Sequence, residues 1–303
     1  MTNILSELSD ALAQSVETAG SRVVRVEARR RIPASGIIWS ADGLIVTANH
    51  VVKRDRKIKV GLPDGQVVKA EISGRDPSTD LAILKIETEG LEAVLTAAVE
   101  TASSDLQVGH LVLALGRPGR TVQATLGIVS AYGDNWRTAM GGQIDHYLQT
   151  DVVMYPGFSG GPLVGANGQI IGLNTSAMMR GVSLTLPTAT IARVVSALVK
   201  HGRVRRGYLG VSTQAVRLPS AARDELSQKT GLLIVSVEPD TPADDGGLVL
   251  GDTIVGIDGS AVRHHDDLLA HLSGDLVGSK VPVKIIRGGQ IRTLNVTIGE
   301  RPQ

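Results

Sequence analysis

The 303-residue chain has no cysteine, which rules out disulfides, thiolate metal sites and a cysteine nucleophile while leaving the compartment open. Aromatic residues are nearly missing too, with one Phe, two Trp and four Tyr, so any core must be built from branched aliphatics. Charge of one sign is also lacking. The 31 basic residues against 30 acidic ones give a net charge of +1, and nothing in that balance calls for nucleic acid or an anionic membrane as partner. No run of about 18 apolar residues exists, so no transmembrane helix is expected. Residues 1–20 lack a basic start, an apolar stretch and a small-residue cleavage site. As it stands the chain is therefore expected in the cytoplasm, or in the cell envelope or periplasm if a leader has been trimmed away.

What is present is glycine, 35 in all, among short aliphatic runs, a balance that suits a mostly β protein with many turns. The length allows two domains. Ile4, Leu5, Leu8, Leu12 and Val16 recur at helical spacing, with Gly20 as the stop, and predict an amphipathic helix over residues 1–20 that docks on its own protein. From Val23 onward, short strands alternate with turn signals such as Ala41-Asp42-Gly43 and Pro63-Asp64-Gly65, a pattern of barrels or sandwiches. Twelve such runs precede a helix that Thr188 is expected to cap and Gly202 to end. Residues 21–200 are read as one domain, 201–206 as a polar linker and 207–303 as a second, small α/β domain. Arg29 to Arg31 and Lys53 to Lys59 are basic runs without interleaved aromatics, which reads as solvated surface rather than a nucleic-acid site.

Three places carry chemistry. Tyr155-Pro156-Gly157-Phe158-Ser159-Gly160-Gly161-Pro162 brackets one hydroxyl with three glycines and two prolines, so it should be a tight turn running into an apolar strand. A turn of this kind can set a serine oxygen beside inward-pointing backbone N–H groups, the arrangement of a nucleophile next to an oxyanion hole. His50 closes the run Val46-Thr47-Ala48-Asn49-His50-Val51-Val52. Asp80 heads Asp80-Leu81-Ala82-Ile83-Leu84-Lys85, where a carboxylate is costly to bury without a partner, and an imidazole is a partner that would use it. Asp76 competes for that role but precedes Pro77 and reads as a turn residue. The order His, Asp, Ser on a β-rich chain is that of the chymotrypsin-type triad, and other folds permute it.

On these motifs the chain resembles the HtrA/Deg family of serine proteases from Val23 onward. The resemblance implies a chymotrypsin-like double β-barrel protease domain followed by a PDZ domain. Ser159 would be the nucleophile, His50 the general base, Asp80 its orienting acid, and the N–H groups of Gly157 and Ser159 the oxyanion hole. It further implies an ATP-independent endopeptidase of protein quality control that cuts unfolded or misfolded polypeptides without a cofactor or metal and assembles as a homo-oligomer, commonly a trimer. A catalytically silent chaperone of the same fold is the rival. By alignment through the serine turn, Val153 stands at the floor of the substrate pocket and Asn174-Thr175-Ser176-Ala177 at its opposite edge. An uncharged floor implies cleavage after small or medium aliphatic residues. Arg206-Gly207-Tyr208-Leu209-Gly210-Val211 resembles the PDZ loop and strand that hold a C-terminal peptide, with Tyr208, Leu209, Gly210 and Val211 as the binding residues. His264-His265-Asp266-Asp267 is read as a helix start rather than a metal site. Two departures stand out. Phe158 occupies the place where the family usually has Asn, so the resting shape of the turn depends on where that ring goes. The connection from Arg31 to Gly36 leaves no room for the long regulatory loop of some members.

Overall fold

The computed structural model describes residues 3–88, 90–93, 106–179, 181–272 and 276–301. The chain forms two compact units, Met1–Arg203 and Val204–Gln303.

The first unit opens with helix α1 (Ile4–Gly20), started by Asn3, whose side chain accepts from the Leu5 N–H at 3.1 Å. Only the C-terminal half of its apolar stripe docks on the domain. Ile4 and Leu5 are 78 % and 73 % exposed, Leu12 and Val16 are half-buried, and the buried residues are the small Ser15, Ala19 and Gly20. The reason is approach distance. Ser15 Oγ reaches Ala166 O at 2.9 Å, which a longer side chain at that position would hold off. Gly20 is the last helical residue, and Ser21 caps the end.

Strands β1 (Val23–Glu27), β2 (Ala34–Ser40), β3 (Leu44–Ala48), β4 (Ile58–Gly61), β5 (Val67–Asp76) and β6 (Leu81–Ile86) close a barrel in the order β1-β2-β3-β6-β5-β4. A second barrel, β11-β14-β13-β12-β7-β8, is built from β7 (Leu111–Gly116), β8 (Gln123–Gly133), β11 (Tyr147–Thr150), β12 (Pro162–Gly165), β13 (Ile170–Thr175) and β14 (Ser183–Pro187). A small ribbon of β9 (Trp136–Arg137) and β10 (Gln143–Ile144) sits between β8 and β11 in the chain. Closure leaves these aliphatic strands no free edge to pair with another chain. Helix α2 (Thr188–His201) buries Ile191, Val194, Val195 and Leu198. Leu198 lies over Gly74 of β5, where an added Cβ would stand 3.0 Å from the leucine Cβ. The cap is Pro187, not Thr188, which is the first helical residue; proline's fixed φ holds the extended entry without a side-chain bond. Gly202 (φ 70°) ends the helix, its N–H donating to Leu198 O at 2.8 Å.

The second unit is a sheet ordered β16-β17-β18-β20-β21, from β16 (Val211–Arg217), β17 (Thr230–Val237), β18 (Thr253–Ile257), β20 (Lys280–Arg287) and β21 (Gln290–Thr297). β19 (Ser260–Ala261) joins β18, and β15 (Gly207–Tyr208) pairs with β22 (Gly299–Glu300). Among the described residues three short helices, α3 (Ser220–Leu226), α4 (Pro242–Asp245) and α5 (His265–His271), accompany it. One fully buried carboxylate, Asp252, is held in a fork by Arg287 at 2.7 Å on each oxygen, which keeps the buried charge paired. The same bonds raise the Arg287 pKa. The expected linker is shorter than 201–206, since His201 belongs to α2 and Arg206 O accepts from the Arg301 N–H at 2.9 Å.

Candidate active site

The pairing of β3 with β6 sets Ala48 opposite Leu81, so the chain just after β3 and the chain just before β6 arrive side by side. The first carries His50 in a short 3-10 turn (Asn49–Val51), the second Asp80. Asp80 Oδ2 lies 2.8 Å from His50 Nδ1, and Oδ1 accepts the His50 backbone N–H at 2.8 Å. Thr175, at the end of β13, adds a third bond from Oγ1 to Oδ2 at 2.5 Å. The carboxylate is only 6 % exposed, and these donors replace the water it has lost. Its backbone sits at φ 55°, a left-handed conformation that Asp and Asn tolerate better than other side chains. Asp76 plays a different part: it accepts from Ser78 Oγ at 2.6 Å and Thr79 Oγ1 at 2.7 Å and ties its own turn.

Ser159 stands in the glycine turn ahead of β12. Phe158 N–H donates to Tyr155 O, Gly160 N–H to Asn174 O and Gly161 N–H to Phe158 O, all at 2.9–3.0 Å. Gly157 (φ 101°) and Gly160 (φ 89°) are required: a Cβ would meet Pro118 Cβ at 2.6 Å in the first case and Ser35 O at 2.2 Å in the second. The backbone N–H groups of Gly157 and Ser159 have no acceptor among the described residues, although both residues are buried. Two such donors, one residue apart beside a serine oxygen, can receive an oxyanion. The Phe158 ring is fully buried in the second barrel, edge-on to Tyr155 at 5.7 Å. Gly116 makes room for it, since a Cβ there would lie 2.7 Å from the ring. The bulk that departs from the family pattern is thus absorbed by the core. Ser159 Oγ itself bonds with Ser176 Oγ at 3.1 Å, not with His50. Both His50 and Ser159 line one cleft of about 310 Å³, together with Arg31, Met154, Tyr155 and Ser176.

Ser35, which the sequence reading passed over, joins the two barrels under this turn. It is fully buried on β2; its Oγ donates to Gly157 O at 2.7 Å and accepts the Arg117 N–H at 2.8 Å, while its own N–H donates to Ser159 O at 3.2 Å. The signal in the sequence was a hydroxyl inside an otherwise apolar strand. Arg117 braces the same junction through Val23 O, Gly20 O and Arg120 O, and burial lowers its pKa. Ser35→Ala leaves Gly157 O and the Arg117 N–H without a partner. It is expected to cost about 1–3 kcal/mol of stability, read from the urea midpoint. Because the Gly157 carbonyl then loses its anchor, kcat should also fall, by roughly 10- to 100-fold with KM little changed.

The other expected site residues divide. Val153 is 54 % exposed and does not line the cleft; the extended chain alternates, so Val152 turns into the barrel and Val153 outward, and Met154 takes the cleft wall. Asn174 is buried, donating to Pro162 O at 2.8 Å and accepting from Thr185 Oγ1 at 3.0 Å, and Thr175 is occupied by Asp80, so neither side chain forms a pocket edge. Ser176 does line the cleft; Ala177 is exposed next to it and donates its N–H to Thr175 Oγ1 at 3.2 Å.

In the second unit the chain leaves β15 after Tyr208 and enters β16 at Val211, with Leu209 and Gly210 between them. Gly210 (φ 84°) presses on Thr241, whose Oγ1 would be 2.4 Å from an added Cβ. The Leu209 side chain is buried in the core, and Val211 packs against that core, leaving backbone as the exposed feature. The N–H groups of Leu209 and Gly210 find no acceptor among the described residues, and β16 pairs on one side only. Tyr208 Oη donates to Glu238, and that bond raises the phenol pKa. His264 and Asp267 form a reciprocal capping box at the start of α5, and His265 Nε2 lies 2.9 Å from Thr213 O.

Two six-stranded barrels with a His–Asp pair and a glycine-turn serine on a shared cleft define the chymotrypsin-like fold, and the second unit is a PDZ domain. Residues 34–173 match the profile described as a trypsin-like peptidase domain and residues 207–298 that of a PDZ domain. With these two domains in this order the chain belongs to the HtrA/Deg family. It is similar to the probable periplasmic serine endoprotease DegP-like of Ectopseudomonas mendocina (strain ymp), with 39 % identity over 279 residues covering 89 % of this chain and 56 % of that one. The protein of the same description from Chlamydia trachomatis serovar D is 36 % identical over 284 residues, covering 92 % and 56 %. The chain therefore spans little more than half the length of these relatives. Among solved structures, the HtrA-type protease AlgW with tripeptide superposes with a TM-score of 0.79 at 32 % identity, over 96 % of this chain and 98 % of that one. The serine endoprotease from Yersinia pestis gives 0.77 at 30 % identity, over 96 % and 98 %.

Proposed function

We propose that the protein is an ATP-independent serine endopeptidase that cuts unfolded polypeptides, with a PDZ domain that takes C-terminal peptides. The observation that carries this is the His50–Asp80 pair at 2.8 Å on the cleft that also holds Ser159. In this reading Ser159 attacks the scissile carbonyl and His50 Nε2 takes the proton. Asp80 holds the tautomer that leaves Nε2 free to accept, and the Gly157 and Ser159 N–H groups bind the oxyanion. A fluorophosphonate probe should label Ser159, located by mass mapping. Failure to label would discard the reading.

The Ser159–Ser176 bond supports a second feature, a resting nucleophile that has to turn toward His50 before it acts. A chain locked in that state would be the silent, peptide-binding form. The relatives are named as periplasmic, which favours the cell envelope or periplasm over the cytoplasmic expectation. Among the described residues no helix is long and apolar enough to cross a membrane. A homo-oligomer, a trimer by family resemblance, is part of the same proposal.

Met154, Tyr155 and Pro156 line the cleft, and no carboxylate does among the described residues, so P1 should be aliphatic. Peptides with Val, Leu or Ala at P1 are expected to be cut at least about tenfold faster than those with Lys or Arg, as read by substrate profiling. At the PDZ domain, a peptide ending in an apolar residue with a free carboxylate should add a strand along β16. Its amidated form should bind about tenfold or more weakly in calorimetry, since the Leu209 and Gly210 donors lose their anion.

A further inference from the structure

Two basic segments that read as separate solvated surface meet in the fold. The N–H groups of Lys53 and Arg54 both donate to Ala28 O, at 3.0 and 3.1 Å, so the chain leaving His50 lies against the connection from β1 to β2. Arg30, Arg31, Lys53, Arg54 and Arg56 are exposed and form no ion pair among the described residues. The one carboxylate within these segments, Asp55, is taken by Arg75 at 3.0 Å. Arg29 shapes the loop through a 2.6 Å bond from Nε to Ile32 O, and Arg29 and Arg31 line the cleft beside His50 and Ser159. On a chain of net charge +1 this is a concentrated excess placed at the rim of the site.

The side of the cleft follows from the chemistry. In acyl transfer His50 hands its proton to the leaving amine, so the released half of the substrate departs along the His50 side. The basic loops are attached to that same turn, whereas Ser176 faces Ser159 from the end of β13 in the other barrel. We propose that this rim selects polypeptides with acidic residues in the stretch that follows the scissile bond. The inference rests on the endopeptidase reading of the same cleft. Each exposed ion pair contributes little, but several on one face act together on encounter and on KM, and the effect is strongly salt-dependent. Arginine suits the task because its planar fork meets a carboxylate with two bonds.

The test uses three internally quenched peptides with the same acyl side and either three Glu, three Ser or three Lys at the third to fifth residues after the cut. At about 50 mM salt the Glu peptide should exceed the Ser peptide in kcat/KM by roughly tenfold, with the Lys peptide slowest. The differences should vanish toward about 1 M salt, where the Debye length is near 3 Å. In the Arg30→Gln/Arg31→Gln/Arg56→Gln variant the Glu-to-Ser ratio should fall toward one. Equal rates for all three peptides at low salt overturn the proposal. Fluorophosphonate labelling and anisotropy of the same peptides on the Ser159→Ala chain keep the two readings apart. Labelling with no charge preference removes only the rim, while tighter binding of the Glu peptide without labelling or cleavage removes only the endopeptidase. If a short DNA duplex binds more tightly than the Glu peptide at about 150 mM salt, the rim is a nucleic-acid surface and the proposal fails.

Discussion

Ser159→Ala is expected to lower casein turnover by about a million-fold, to the residual level that oxyanion donors and binding alone supply. The substitution removes one hydroxyl whose only partner among the described residues is Ser176 Oγ, so folding should lose no more than about 1 kcal/mol. A thermal melt within a few degrees of the parent chain, with fluorophosphonate labelling gone, completes the expected result. Turnover close to that of the parent chain would move the nucleophile elsewhere.

Asp80→Asn should cost about ten-thousand-fold in kcat while leaving the fold in place. Asn tolerates the φ of 55° at this position as well as Asp does. The amide then has one oxygen for two sets of donors. The His50 backbone N–H, at 2.8 Å, cannot change character and claims that oxygen, which turns the NH₂ toward His50 Nδ1 and Thr175 Oγ1. An imidazole that accepts at Nδ1 carries its proton on Nε2 and can no longer take one from Ser159. A simple loss of packing would predict a lower melting temperature instead. The distinguishing result is a large fall in kcat with the melt preserved, and Asp76→Asn should show no such fall in kcat because the Asp76 carboxylate holds Ser78 and Thr79 while His50 is held by Asp80.

Much of this protein can be read in its residues. The strands from β1 to β6 were visible because they are short aliphatic runs, with glycine turns after β2 and β4, and local backbone preference suffices to mark both features. The order His50, Asp80, Ser159 was legible for a similar reason, since each stands at the end of such a run or inside a glycine-rich turn. Asp80 could be preferred to Asp76 because a proline follows Asp76, and Pro77 belongs to the turn that Asp76 ties.

The α1 stripe, Val153 and Ser35 show where this kind of reading stops. Periodicity identified the apolar face of α1, yet only Leu12 and Val16 of it are half-buried and the closest approach is made by Ser15, Ala19 and Gly20, because which part of a helix docks depends on how near its small residues let it come. Alignment set Val153 at the pocket floor, but whether a residue of an extended segment faces the cleft or the solvent depends on the phase of alternation in the folded chain, and Met154 has the inward phase. Ser35, Thr175 and the joined basic loops matter through partners 25 to 122 residues away in the chain, as in the bonds from Ser35 to Gly157, from Thr175 to Asp80 and from Lys53 and Arg54 to Ala28. The sequence by itself determined a mostly β chain with room for two domains, since these follow from local turns and hydrophobic pattern, and its motifs, in their order, carried the resemblance that implied the double barrel, the PDZ domain and the candidate triad. Only the tertiary structure decided where the Phe158 ring goes, that Ser159 rests on Ser176, and which hydroxyls support the turn and the carboxylate, because hydrogen bonds between distant segments exist only after both barrels have closed.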